Sequence, residues 1–335
     1  MINIAHVTTV IVTYGQRKWM LEKVLDSLEL QGVKHVIVVN NGALWPVKSE
    51  LGLAYNGFVD VIDIETNSGS AIGFKCGIER ALDNGAEMIW LLDDDNMPTD
   101  DALQKLLTTY NDLLKTKPTE KIALRTTRLT QNHKAATIPL HRIIPRPSSF
   151  RGFHILDIPY KLWKRLPFIN RIKIENSLPT ISLLYAPYGG LIFHRDLISA
   201  IGLPNSDFVV YTDDLEFSYR ITQTGGEIIL VKEATIIELE SSWNTLDTFS
   251  NGFSSMLCGS SDLRAYYSMR NDVHFFSSIQ KRNKLIFFIN RLLYVNLLFI
   301  FSLIYRKHSR YLILMTAIRD GLDGRLGVND HFPLQ

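Results

Sequence analysis

Three consecutive carboxylates, Asp93-Asp94-Asp95, follow directly on the apolar run Met88 to Leu92. Like charges this close raise one another's pKa, and a fold tolerates them best beside a cation. Alternate residues of an extended chain point the same way, so Asp93 and Asp95 can converge while Asp94 turns aside. Hard oxygen donors of this kind suit Mg2+ or Mn2+ held jointly with a diphosphate. A solvated acidic turn or a helix N-cap is the competing reading, because Pro98 and Asp100-Asp101 follow and acids favour helix starts. A second cluster, Asp213-Asp214-Leu215-Glu216, places three acids in four positions, downstream of Gly189-Gly190 and the Ile201-Gly202-Leu203-Pro204 turn. Two such clusters can divide the labour between metal binding and general-base catalysis, in which a carboxylate must reach the hydroxyl that it deprotonates.

Between them, Asn67-Ser68-Gly69 opens a segment with Gly69, Gly73 and Gly77 spaced four apart. Glycines at that spacing line one helical face and let the backbone approach a neighbour or a ligand closely. The segment is neither a Walker loop nor the Rossmann dinucleotide fingerprint. On its own it favours helix-sheet packing over ligand binding.

The elements that must position these residues are legible in the first third of the chain. Val7 to Thr13, Val36 to Val39, Val59 to Ile64 and Met88 to Leu92 read as buried strands. Helical spacing occurs over Lys18 to Leu30 and Ile72 to Leu82. This alternation predicts an α/β fold with a doubly wound, mostly parallel sheet, whose ligands sit beyond the carboxyl ends of the strands. The polar clusters at Thr13 to Arg17, Asn40 to Gly42, Asn67 to Gly69 and Asp93 to Asp95 all fall there. From His141 to Ile174 eight Lys/Arg accompany a single acid, Asp157, and four prolines, which reads as an irregular basic insertion. It could steer an anionic acceptor or be a plain solvated loop. The remainder is helical, and Leu285 to Tyr305 is almost wholly apolar.

Composition bounds the possibilities. The 335 residues are 46% hydrophobic and 21% charged, which excludes disorder, collagen and a coiled-coil rod. The net charge of +2 gives no global reason to expect a nucleic-acid partner. Cys76 and Cys258 cannot make a disulfide framework, and no signal peptide is read at the N-terminus, so a cytoplasmic protein is expected. Leu285 to Tyr305 is just long enough to span a bilayer, but Asn290, Arg291 and Asn296 argue against spanning. No acid occurs from Lys281 to Arg310, which suits a helix lying on an anionic leaflet. A core or oligomer-interface helix is the alternative.

In this order the segments resemble the family 2 glycosyltransferases of the GT-A fold. VTTVIVTYGQRKWMLEKVLDSLELQ (7–31) is similar to the family's first strand and helix, and VIVVNNGA (36–43) to its second strand and nucleotide-contacting turn. NSGSAIGFKCG (67–77) resembles the glycine helix, WLLDDDNMP (90–98) the D-x-D metal motif, and residues 188–221 the acceptor-side block with its acidic base motif. Tyr266 to Asn271 and Asp320 to Arg325 resemble the branch that builds bacterial surface polysaccharides, including rhamnosyl- and galactofuranosyltransferases.

The resemblance implies a Rossmann-like, mostly parallel central sheet flanked by helices, with a helical C-terminal extension. Its expected organisation is a catalytic domain over 1–245, comprising a nucleotide-sugar half (1–130), the basic insertion (131–185) and an acceptor/base half (186–245). A helical region over 246–335 would follow. It implies a donor-side set of Thr13, Tyr14, Arg17, Asn40, Asn41, Asn67, Gly69, Asp93 and Asp94. Asp214 is implied as general base with Asp213 supporting it, and Asp93 and Asp95 as ligands of Mn2+ or Mg2+. Where relatives carry a His near the metal this chain has Glu238, so that either Glu238 substitutes as an oxygen ligand or that contact is absent. The implied activity is an inverting, metal-dependent sugar transfer from a nucleotide-sugar, with a UDP-sugar as first donor, since the three-Asp motif is more similar to that of the galactofuranosyl-type relatives, and dTDP-rhamnose as the near alternative. The acceptor would be a glycan or lipid-linked glycan at the inner face of the cytoplasmic membrane. A non-catalytic nucleotide-sugar-binding scaffold and a homo-oligomer complete the expectations, and Trp243 is a candidate for shaping the acceptor pocket or for core packing.

Overall fold

The β-branched run at the start of the chain forms an interior strand of the molecule's sheet. In the computed structural model, which describes residues 1–129, 146–159, 179–240, 249, 251–259, 261–279 and 283–334, strand β1 covers Val7–Gly15. Its two faces divide by the period of two. Val7 and Ile11 join an apolar cluster with Leu21, Val24, Leu25 and Leu28 of helix α1 (Lys18–Leu30), the i, i+3, i+4, i+7 stripe. Val10 and Val12 point to the other face, where helix α3 (Ser70–Asp83) packs. Helix α2 (Val47–Ala54) precedes it.

Beside β1 lie β2 (His35–Ala43) and β4 (Met88–Asp93), and β3 (Val59–Ile64) lies outside β2, all parallel. Four of the remaining strands are β5 (Asn96–Pro98), β6 (Ile122–Leu129), β8 (Leu191–His194) and β9 (Glu227–Glu238). The spatial order is β3-β2-β1-β4-β8-β6-β9-β5, and β7 (Thr180–Leu183) also pairs with β9. Six of the nine strands described run one way; β5, β7 and β8 run against them. The fold is therefore the expected α/β arrangement, a mostly parallel sheet flanked by helices. Helices α4 (Ala102–Leu113), α5 (Asp196–Ile201) and α6 (Asp213–Gln223) complete this part.

The glycines explain how closely α3 approaches the sheet. A Cβ added at Gly73 would lie 2.7 Å from Val12 Cγ1, and one at Gly77 would lie 2.3 Å from Val10 Cγ1. Gly77→Ala is expected to destabilise the protein. Overpacking of about 1–3 kcal/mol against a stiff β-branched neighbour exceeds the roughly 0.8–1 kcal/mol that alanine gains over glycine in a helix. Gly52→Ala in α2 meets nothing within 4 Å and should be neutral or stabilising. Urea midpoints of the two variants check this, and equal shifts would sink the packing account.

The chain divides into two compact units. The one just described comprises residues 1–129, 179–240 and 333–334 of the described chain. The other comprises 146–159, 249, 251–259, 261–279 and 283–332, with helices α7 (Gly252–Cys258), α8 (Asp262–Ile279), α9 (Lys284–Ile304) and α10 (His308–Leu322). Inside this second unit the two sequence motifs singled out above meet. Tyr266 Oη donates to Asp320 Oδ2 at 2.8 Å, and a Cβ at Gly321 would lie 2.3 Å from the Arg270 carbonyl. Arg270 is buried over the Tyr267 ring, 4.7 Å from its centroid, and donates to the Gly327 carbonyl at 2.6 Å. These motifs thus brace α8 against α10. Trp243, and the basic insertion apart from residues 146–159, lie outside the described residues.

Candidate active site

The carboxyl ends of β1, β2 and β4 are brought level by the sheet register, with Val12 beside Asp93 and Thr13 beside Asn40. The three aspartates leave β4 in different directions. Asp94 turns inward and is almost wholly buried. Its Oδ2 accepts from Thr13 Oγ1 at 2.8 Å and its Oδ1 from Arg17 Nε at 2.8 Å. Burial pushes its pKa up to about 6, against the opposing pull of Arg17 and Thr13. The Arg17 guanidinium also donates to Asp95 Oδ2 at 3.0 Å, pairs with Glu240, and sits 5.1 Å from the centroid of the Tyr14 ring. Burial alone would lower the Arg17 pKa, but Asp94, Tyr14 and Glu240 outweigh it, so the guanidinium is firmly cationic. Thr13, Arg17 and Asp94, all on the donor-side list, thus bond first to one another.

Asp93 and Asp95 remain nearer the surface. Arg128, from the end of β6, donates to Asp93 Oδ2 at 3.1 Å and to Asn96 Oδ1 at 3.3 Å, and its Nη1 lies 3.5 Å from Glu238 Oε1. The backbone of Gly189 forms a wall of this group: an added Cβ would lie 2.5 Å from both Asp93 Oδ2 and Arg128 Nη2. Asn96 Nδ2 donates to Asp95 Oδ1 at 2.7 Å. Burial, with Asp93 adding to it, raises the Asp95 pKa.

The second acidic cluster opens α6. Before it, Val209, Tyr211 and Thr212 all have positive φ (66°, 65° and 64°), the left-handed region that non-glycine residues avoid. A β-branched residue there is strained, and strain of this kind persists only when the surroundings over-determine it. Here the surroundings are the start of α3. The Val209 carbonyl accepts from Ala71 N at 3.1 Å, and Gly69, at φ 85°, leaves room for it, since a Cβ there would stand 2.1 Å from that oxygen. Ser70 Oγ donates to Asp213 Oδ2 at 2.9 Å, and Asp213 is buried. Asp214 Oδ1 accepts from Leu215 N at 2.8 Å. Burial raises the pKa of both acids; Asp93 is among the charges that add to each rise, so the two acidic clusters share one electrostatic site.

Asn41, one of the two asparagines on the donor-side list, bonds to the turn that precedes α3. Its Nδ2 donates to the Gly69 carbonyl at 3.1 Å and to Asn67 Oδ1 at 3.3 Å, and its Oδ1 accepts from Ser68 N at 2.8 Å. Asn41 and Asn67 therefore shape the 67–69 turn that supports the Asp213-Asp214 loop. Asn40 donates to Asp63 Oδ1 at 3.0 Å and accepts from Ala43 N at 2.9 Å.

Two arginines escaped the reading of the sequence. Arg125 on β6 is buried, and among the described residues its Nε has no hydrogen-bond partner. Burial and the nearby Arg128 lower its pKa to about 9, while Asp214 and Asp93 oppose the fall. In regular alternation Arg125 and Arg128 would face opposite ways. The ladder with β9 changes register between Thr126 and Thr127, which interrupts that alternation. An isolated R-x-x-R in a strand carries no signal that would reveal this.

Around the site seven carboxylates (Asp93, Asp94, Asp95, Asp213, Asp214, Glu238 and Glu240) gather about three guanidiniums (Arg17, Arg125 and Arg128). The surplus of hard, negative oxygen fits a divalent cation, and Asp93 and Asp95 are the pair that could hold one. Among the described residues no three Asp, Glu, His or Cys side chains are grouped to hold a metal by themselves. Glu238 is drawn toward Arg128 instead of completing such a set. A magnesium-type ion commonly rests on one or two carboxylates and completes its shell with water and substrate phosphates.

Residues 8–146 match the family model described as glycosyl transferase family 2. Over 225 residues the chain is 28% identical to galactofuranosyltransferase GlfT1 of Mycolicibacterium smegmatis, covering 65% of this chain and 66% of that one. It is 28% identical over 227 residues to GlfT1 of Mycobacterium tuberculosis, with 65% of each chain covered. The chain thus spans just under two thirds of the length of these curated relatives. Among solved structures it is similar to GalNAc-T7 with UDP, GalNAc and Mn2+ at a TM-score of 0.49 and 13% identity, covering 70% of this chain and 43% of that one. It is also similar to S. aureus TarS 1-349 at a TM-score of 0.47 and 12% identity, covering 95% and 91%.

Proposed function

From a chain that carries a family 2 glycosyltransferase domain and resembles galactofuranosyltransferases, we propose an enzyme that moves a sugar from a nucleotide-sugar to a hydroxyl of a glycan or lipid-linked glycan. A UDP-sugar, with galactofuranose first, is the proposed donor. The observation that carries this reading is the meeting of two acidic clusters from distant segments, Asp93 with Asp213 and Asp214, at the carboxyl ends of the central strands.

In the proposed reaction Asp214 accepts the proton of the acceptor hydroxyl as its oxygen bonds to the anomeric carbon. The bond from that carbon to the diphosphate oxygen breaks, and the nucleoside diphosphate departs with the electron pair, leaving the anomeric configuration inverted. Asp213, held by Ser70, anchors the first turn of α6 and so fixes the position of Asp214. Arg17 holds Asp95 in place, and Arg128 does the same for Asp93. Bound at Asp93 and Asp95, Mn2+ or Mg2+ would neutralise charge on the leaving diphosphate.

Calorimetric titration with UDP and with dTDP, each with Mn2+ and with EDTA, tests the reading. UDP is expected to bind in the presence of Mn2+ and to weaken markedly with EDTA, and Asp95→Asn should remove most of that metal dependence. Preference for dTDP would keep the class of enzyme and turn the donor to rhamnose. Binding of neither nucleotide would overturn the donor assignment, and nucleotide binding without transfer to any acceptor would favour the scaffold reading.

A further inference from the structure

Helix α9 (Lys284–Ile304) is inside out. At 1.5 Å per residue its 21 residues extend about 30 Å. Its buried positions are Asn290, Tyr294, Leu298 and Ser302, every fourth residue, and three of these four are polar. Asn290 is wholly buried; it donates to the Ser148 carbonyl at 2.8 Å and accepts from Ile155 N at 3.0 Å. Tyr294 Oη accepts from Arg151 Nη1 at 2.9 Å, and Ser302 Oγ donates to the Phe299 carbonyl at 2.7 Å. The opposite face is apolar and open: Leu285, Phe288, Ile289, Leu292, Ile300 and Leu303 are 38–67% exposed. The one polar residue among the exposed positions of 285–304, Asn296, donates its amide to the Leu292 carbonyl at 2.7 Å.

We propose that this face of α9 lies in the surface of an anionic lipid bilayer, with the helix axis along the membrane plane. Contiguous apolar patches of more than a few hundred Å² are rare on the water-facing surface of monomers, and removing them from water is favourable. The helix does not cross the bilayer, because its inner face is committed to hydrogen bonds with Ser148, Ile155 and Arg151 of its own unit.

Charge selects the bilayer over a second copy of the chain. Lys284 stands exposed at one end of the strip, and Arg306 and Lys307 at the other. The sequence from Lys281 to Arg310 contains no acid. Two copies packed through this strip would bring cations together in either orientation, Lys284 on Lys284 when parallel and Lys284 on Arg306 and Lys307 when antiparallel. Anionic headgroups instead attract each such residue.

The test is flotation of the full-length protein with phosphatidylcholine vesicles, alone or with about one third phosphatidylglycerol. The protein is expected to float with the anionic vesicles, to lose at least about tenfold in partitioning without the anionic lipid, and to dissociate as salt rises from about 0.05 M to about 0.5 M. Phe288→Glu with Leu303→Glu, and separately Lys284→Glu with Lys307→Glu, should abolish flotation with the helical circular dichroism unchanged. The salt series on the unaltered protein stands even if a variant fails to fold. Sedimentation without lipid distinguishes the rival occupant: a concentration-dependent dimer with no flotation overturns the proposal in favour of self-association. Absence of both overturns it outright, and flotation indifferent to salt and lipid charge overturns the electrostatic part.

Discussion

Asp214→Asn is expected to lower turnover by about 10²- to 10⁴-fold, the usual contribution of a positioned base, and to leave nucleotide binding nearly unchanged. Its carboxylate is oriented by the first turn of α6, with Oδ1 on Leu215 N, and α6 is in turn held by Ser70 through Asp213 and by the strained 209–212 loop. An asparagine keeps the shape and the backbone contact but cannot take a proton at neutral pH. The pH profile supplies a second readout. A base works only when ionised, and burial, with Asp93 adding to it, raises the Asp214 pKa. Turnover should therefore fall on acidification at a higher pH than an exposed aspartate would give. Arg125 and Arg128 oppose that rise. Arg125→Gln removes one opposing cation, so the acidic limb should move to higher pH. Near-normal turnover in Asp214→Asn would refute the base assignment, and an acidic limb that stays fixed in Arg125→Gln would refute the electrostatic link.

Asp94→Ala should cost about 3–5 kcal/mol of folding stability, the scale of breaking a buried ion pair by deleting one partner. The variant leaves the Arg17 Nε and the Thr13 hydroxyl facing a hole where two 2.8 Å hydrogen bonds had been. Asp94→Leu combined with Arg17→Met removes both charges, and its total cost should fall well below the sum of the two single substitutions. Urea unfolding of the four proteins measures this coupling. Strict additivity would mean that the pair is a surface ornament. Asp95→Asn should cost less than Asp94→Ala, because the amide keeps an oxygen toward Arg17 and the guanidinium retains Asp94 and Glu240.

These outcomes also separate what local pattern can say from what it cannot. The chain's own spacing determined that helix α1 spans Lys18–Leu30, that β1 would be buried on both faces, and that Gly73 and Gly77 line one face of a helix. Such features depend on side-chain period and on the smallness of glycine, both local properties. The two acidic clusters were equally legible, since each is contiguous. Which acid does what was decided by the tertiary structure. Asp94 faces inward because Thr13 and Arg17, 81 and 77 residues away, meet it there, and Asp213 is tied to Ser70 across 143 residues. Asn41 braces the 67–69 turn because that turn folds back on the end of β2. Arg125 and Arg128 had no signature, because their meaning lies in a strand whose register shifts against a partner a hundred residues further on. In α9 a long apolar helix with basic ends follows from residue order alone. Only packing decided that Asn290, Tyr294 and Ser302 turn inward and the apolar face turns out, because the hydrogen-bond partners of Asn290 and Tyr294 lie about 140 residues away.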